Sequence, residues 1–313
     1  MLISYPNKRE YNSFQETFAN LDLESDELKV IIVTPGVYQE RVTLRGKHIR
    51  IIGIGDVIVD GAAYARQLGP DHQPINTFQT ATFYCEGEDI VLDNLTIKNS
   101  AGLGKDVGQA VAFYGNGDNI FLQKCTIDAF QDTLFLAPLP PATKEGRPFN
   151  APINQHEYLQ CHRYTFENCE IAGNVDYIFG GGTAVFYRCI LKTKLGTENG
   201  NAFIAAPSTY PDTLFGFVFI DCELTKDDHD VSNVYLARPW RPYGKAYYIS
   251  CKIGSHIITK GWDNWNGDVG RERTSDFREY DSNQYIAGRA SWVVNKKQID
   301  EFLMVKIFKY MKI

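Results

Sequence analysis

The sequence predicts an all-β fold: a single-stranded parallel β-helix, a solenoid made by one chain coiling on itself, with a short N-terminal helix and a C-terminal helix. Three observations carry this. One phrase recurs six times, with apolar residues at −5 and −3, Cys or Leu at 0, and Ile or Leu at +2. Its zero positions are Leu95, Cys125, Cys169, Cys189, Cys222 and Cys251. They lie 30, 44, 20, 33 and 29 residues apart, the irregular spacing of short repeats that bury their apolar face by stacking and vary in their loops. Finally, −5 and −3 fall out of step with 0 and +2, so each coil must bend between two short strands, as a β-helix requires and a flat sheet does not. Alternating strands in a sandwich are the competing reading, and the recurring Cys counts against it.

Residues 10–20 form the predicted N-terminal helix, with Phe14 and Phe18 on its apolar side and Asn12 or Ser13 as N-cap. Val30-Ile31-Ile32-Val33 reads as a buried strand ended by the turn Pro35-Gly36, and short strands are expected over 49–54 and 57–59. The repeat takes over from residue 78. Helical patterning returns at 299–311, a helix expected to pack on the solenoid. No linker or composition shift divides the chain, so residues 1–313 are expected to form a single β-helix domain.

A net charge of −6 and the absence of a Lys/Arg-rich run argue against nucleic acid as a partner. Five of the seven Cys fall at one repeat position, which reads as a packing column, not a disulfide framework. No C-x-x-C or H-x-x-x-H pair occurs, so no zinc site is expected. No stretch approaches membrane-spanning length, and Met1 to Pro6 shows no signal-peptide pattern. By that criterion the chain is expected to be cytoplasmic, or extracellular if a signal was removed.

The chemistry follows from the repeat. Asp132 lies seven residues after Cys125, and Asp176 seven after Cys169. Stacked coils would set the two carboxylates about 4.8 Å apart along the solenoid surface, where both cannot ionise cheaply. One acid beside one carboxylate suits covalent hydrolysis, one group attacking while the other passes protons. Capping a turn or binding a cation are the competing roles. Gln131 and Gln109 carry side-chain amides that can donate to an oxyanion without titrating. Arg238 lies 13 residues before Cys251, as Asp176 lies 13 before Cys189, so it projects near the same column. A guanidinium fork there would hold Asp176 as the nucleophile; a surface ion pair is the alternative. Trp240, Trp262 and Trp265 punctuate the C-terminal part, fit either for stacking on sugar rings or for the core.

Taken together, these motifs resemble the pectin methylesterases. Gly36-Val37-Tyr38-Gln39-Glu40 looks like the family's G-x-Y-x-E. Gln109-Ala110-Val111-Ala112, Gln131-Asp132-Thr133-Leu134, Asp176-Tyr177-Ile178-Phe179-Gly180 and Arg238-Pro239-Trp240 match its remaining signatures in order, over residues 12–285. The resemblance implies a right-handed β-helix, no metal and no cofactor. It implies hydrolysis of C6 methyl esters of homogalacturonan or its oligomers by a monomer. Asp176 would be the nucleophile, Asp132 the acid/base, Gln109 and Gln131 the oxyanion hole, and Arg238 the holder of Asp176. Trp240, Trp262 and Tyr177 would bind sugar. A pectate lyase or polygalacturonase, a non-catalytic polysaccharide binder and an esterase for another acyl group are the competing functions. Most family members are exported, in conflict with the missing signal; intracellular demethylation of imported oligomers would reconcile the two. The main departure is a Pro-rich loop over 136–155, expected to wall one end of the groove and favour oligomers or chain ends.

Overall fold

A computed structural model describes residues 1–5, 8–143, 145–149, 162–197, 200–282 and 287–312. It is a right-handed parallel β-helix. Each coil contributes strands to three faces, and the repeat positions stack in register. On one face the −3 residues form a continuous ladder: Leu92 pairs with Leu122, Leu122 with Phe166, Phe166 with Phe186, Phe186 with Phe219 and Phe219 with Tyr248. On the next face the +2 residues do the same, from Ile97 through Ile127, Ile171 and Leu191 to Leu224. All of these side chains are buried. The aromatic part of the first ladder stacks ring on ring, with centroids 4.7 Å apart for Phe166–Phe186 and 4.4 Å for Phe219–Tyr248.

The bend between the two faces falls one residue before each zero position. Asn94, Lys124, Asn168, Arg188, Asp221 and Ser250 all take positive φ, between 52° and 56° for the first five and 53° at Ser250. This left-handed residue reverses the side-chain alternation and so produces the parity break seen in the sequence. The column Cys125, Cys169, Cys189, Cys222, Cys251 follows it, buried and unbridged. Each thiol donates to a backbone carbonyl of the preceding coil, as Cys169 does to Leu122 at 3.4 Å. The packing role expected of these cysteines is the observed one.

The stack starts earlier than residue 78. Lys29–Val33 pairs with Val42–Gly53, which pairs with Phe83–Asp93, and Val57–Asp60 pairs with Thr96–Lys98. Here Ile51 and Val59 take the −3 and +2 places, but Ile54-Gly55-Asp56 lengthens the bend, so the repeat phrase does not match this coil. Val42–Gly53 also runs past its predicted start because it rounds a corner at Gly46. There Gly46, Gly87 and Gly117 lie in register, and a Cβ on Gly87 would land on the Gly46 carbonyl oxygen.

The N-terminal helix is shorter than expected, Phe14–Ala19, capped by Ser13, whose hydroxyl accepts from the Glu16 N–H at 3.0 Å. Glu10 and Tyr11 instead belong to the strand Arg9–Tyr11, paired antiparallel with Leu2–Tyr5. The C-terminal helix, Glu301–Met311, begins after the cap Asp300 and buries Leu303, Ile307 and Met311 against Val185, Val218 and Tyr247. Of the described residues, no helix is long and apolar enough to cross a membrane.

Candidate active site

The third face carries the site. Strands Leu134–Leu136, Val175–Gly180, Ala202–Pro207 and Val234–Ala237 succeed one another along it. Leu134 is in register with Ile178, so Asp132 and Asp176, each two residues earlier, occupy neighbouring coils, and the Asp132 N–H donates to Val175 O at 3.0 Å. Both aspartates have positive φ, 63° and 50°, sparsely populated conformations for a non-glycine residue that concentrate at functional sites. Between Val175 and Ile178 the pairing with the next strand slips, so that Asp176 and Tyr177 lie on a bulge. A bulge re-aims a side chain, and here it turns Asp176 toward Arg238.

Arg238 grips both Asp176 oxygens, donating from Nε to Oδ1 at 2.8 Å and from Nη2 to Oδ2 at 2.7 Å. Its guanidinium lies between two rings, 3.7 Å from the Phe203 centroid and 4.3 Å from that of Trp265, which fixes the plane of the fork. Arg271 braces the same loop by donating from Nη1 to Pro239 O at 2.6 Å. Among the described residues, Asp132 has no such cation clamped to it. Burial in the cleft floor, reinforced by the neighbouring Asp176 charge, raises Asp132 well above the usual carboxylate range; the Arg238 charge and a Gln131 hydrogen bond oppose this and lose.

A cleft of about 590 Å³ opens over these groups, lined by Gln109, Gln131, Asp132, Asp176 and Arg238 among others. Six of the eight predicted site residues therefore meet in one place, these five and Trp240. The amides come from successive coils, since Ala110 N–H donates to Gln131 O at 3.1 Å. Gly104 leaves room for Gln131: a Cβ there would collide with its Oε1.

Two expectations are corrected. Trp262 is fully buried, in register with Ala237 and packed on Tyr248 and Phe277, so it belongs to the core and not to a groove. Tyr177 is also fully buried, its hydroxyl 3.3 Å from Thr193 Oγ1. Neighbouring residues on a strand face opposite sides; with Asp176 facing out, Tyr177 faces in. Trp265, noted without an assigned role, lines the cleft instead.

Other lining residues escaped sequence reasoning: Asn76, Thr77 and Phe78 from a segment outside the repeat, and Thr143, Glu145, Arg147, Pro148 and Phe149 from the Pro-rich loop. The described part of that loop thus forms a wall of the cleft, as expected; Pro152 lies outside the described residues. Beneath the cleft an outward aromatic column runs Tyr84, Tyr114, Phe135, Phe179, one per coil. Its next member is Ala206, and this small residue leaves the hollow that Trp240, Phe78 and Phe149 surround.

A pectinesterase family model matches residues 2–138 and 153–308. The chain belongs to the pectinesterase family. Among pectinesterases, Pectinesterase 31 of Arabidopsis thaliana is 30% identical over 89% of this chain and 80% of its own length. The solved pectin methylesterase from carrot is 25% identical, with a TM-score of 0.74 over 95% of this chain and 86% of that one. A pectin methylesterase mutant in complex with a hexasaccharide is 22% identical, with a TM-score of 0.76 over 96% of this chain and 92% of that one. The chain spans 46%, 23% and 37% of the length of three other Arabidopsis relatives, each named as a pectinesterase/pectinesterase inhibitor.

Proposed function

We propose that this chain hydrolyses C6 methyl esters of homogalacturonan or its oligomers, releasing methanol and leaving galacturonate. One observation carries the reading: Asp132, whose carboxyl is pushed well above the usual carboxylate range by burial and by the Asp176 charge, stands beside Asp176, which is clamped by an arginine fork. The two groups are thereby divided into acid and nucleophile. Family membership supplies the ester, and the hexasaccharide-bound relative supports an oligosaccharide ligand.

An Asp176 oxygen attacks the C6 carbonyl carbon, and the carbonyl π pair moves onto oxygen. The Gln109 and Gln131 amides donate to that oxyanion. As the C6–methoxy bond breaks, Asp132 gives its proton to the methoxy oxygen and methanol departs, leaving an anhydride between Asp176 and the uronate. Asp132, now a carboxylate, takes a proton from water while the water oxygen adds to C6. Collapse expels the Asp176 carboxylate and restores the protonated Asp132. Asp132 handles both proton transfers of the cycle, and the uronic acid formed on collapse gives its remaining proton to solvent. Trp240, Phe78 and Phe149 give the sugar rings apolar faces to lie on.

The wall formed by 143 and 145–149 favours oligomers or chain ends over internal sites of long chains. The test of the function is methanol release from highly methylated pectin and methylated oligogalacturonides, run beside acetate release from an acetylated polysaccharide. Methanol without acetate supports the reading. Acetate alone would assign the same machinery to another acyl ester, and equal rates on long and short methylated chains would remove the chain-length preference.

A further inference from the structure

The C-terminal helix covers only part of the sheet face it rests on. Val185, beneath it, belongs to an outward row that runs in register through Thr165 and Phe121 to Val91. Val185 is fully buried, but Phe121 and Val91 are only half-buried. A groove of about 740 Å³ opens there, with Val91 and Phe121 in its floor and Met304 and Phe308 of the helix as one wall. Glu167 and Asp221 also line it and, among the described residues, have no ion pair. Arg50 and His48 hold the third acid, Asp89, at 2.8 and 2.9 Å.

The outer side of the same helix is an apolar ridge. Phe302 is 75% exposed, Val305 63% and Phe308 37%, and steps of three residues string them along one stripe that ends at the groove wall. Lys306 and Lys309, four and seven residues after Phe302, share its side of the helix. Both are exposed and, among the described residues, without an ion pair. A contiguous apolar surface left open in this way marks an interaction site. Its form selects the partner: ridge and groove lie side by side, the ridge flanked by lysines and the groove by acids. A two-fold contact needs this self-complementarity, because each copy gives its ridge to the other's groove.

We propose that two copies of this chain pair through their C-terminal helices, Phe302 and Val305 of each entering the partner's groove while Lys306 and Lys309 face its Glu167 and Asp221. This dimer stands in place of the monomer that the family resemblance implies. The cleft opens on a different face of the coil, the one formed by Leu134–Leu136 and its successors. The pairing therefore does not depend on the esterase reading, and methanol release checks folding independently.

The test is the mass of the full chain by sedimentation at about 10 and 100 μM, the weak end of the range for standard-size interfaces. The native chain is expected to show twice the mass of one copy. Phe302→Glu should raise the dissociation constant about thirtyfold or more, as loss of a central aromatic anchor does. Reversing both lysines (Lys306→Glu with Lys309→Glu) should give single copies through like-charge repulsion. Reversing both acids (Glu167→Lys with Asp221→Lys) should do the same; the bend at Asp221 tolerates Lys, since Lys124 and Arg188 take positive φ at the same place in other coils. Mixing the two reversed proteins should restore a dimer, because each contact then joins opposite charges, and misfolded variants could not do this. A native chain of single mass at both concentrations overturns the proposal, and its cosedimentation with phosphatidylserine vesicles would assign the face to a lipid surface. A native dimer unchanged by Phe302→Glu and by either reversal overturns it as well, since the contact would then lie elsewhere.

Discussion

Replacing Arg238 by Lys keeps the charge and removes the fork. The native guanidinium makes two charge-assisted bonds to Asp176, at 2.8 and 2.7 Å, and lies against Phe203 and Trp265. An ammonium can hold one oxygen well and has no plane to stack. The loss is one charge-assisted hydrogen bond, about 1.5–3 kcal/mol, plus part of two cation–π contacts, each about 0.5–1 kcal/mol or more. Together these amount to about 2–4 kcal/mol, or roughly 30- to 1,000-fold in rate at 1.36 kcal/mol per tenfold. The loss should fall on kcat, since the fork sets the angle at which Asp176 meets the carbonyl. Lys is a better probe than Ala because the Asp176 side chain is only 12% exposed, and leaving it unpaired costs about 3–5 kcal/mol of stability. The assay is methanol release from methylated pectin by a variant whose thermal melt matches the native chain. A folded Arg238→Lys protein with native kcat would refute the claim that the fork positions the nucleophile.

Asp132 gives a stability test with a definite sign. Its folded-state proton affinity is raised above that of the unfolded chain, so the native state binds the extra proton. Stability is fully present below the ordinary carboxylate range and falls as pH rises toward the folded value, by up to about 1.4 kcal/mol per pH unit. Asp132→Asn should flatten that decline in urea midpoints taken from pH 4 upward, and a decline unchanged in the variant would contradict it. The two tryptophans separate structure from site. Trp262→Ala should cost about 3–5 kcal/mol of stability as a core cavity. Trp265→Leu should leave the melt within about 1 kcal/mol while lowering methanol release; the reverse pattern would return the groove role to Trp262.

Most of this fold was legible because stacking demands the same residue type at the same place in each coil, and Leu92 to Tyr248 and the cysteine column obey that demand. The pairing of Asp132 with Asp176 followed from the same arithmetic. What sequence alone hid lies where a coil departs from the repeat. The first coils carry a longer bend at 54–56, and the bend residues themselves, Lys124 and Arg188 among them, have no glycine to betray their positive φ. Trp262 and Trp265 stand three residues apart, and only the pairing of Trp262 with Ala237 decides which faces the core. Phe78 and Phe149 arrive from loops, where no periodicity announces a partner.

The central claim is that Asp176 attacks the ester while Asp132 supplies the proton. Methanol release from methylated oligogalacturonides by the native chain and by Asp176→Asn tests it most directly, with matching melts to show that the variant is folded. Methanol from the native chain and none above background from the variant is the predicted result. Methanol from a folded Asp176→Asn protein at a rate near the native one would contradict it, because among the described residues no other carboxylate in the cleft floor is held by an arginine fork.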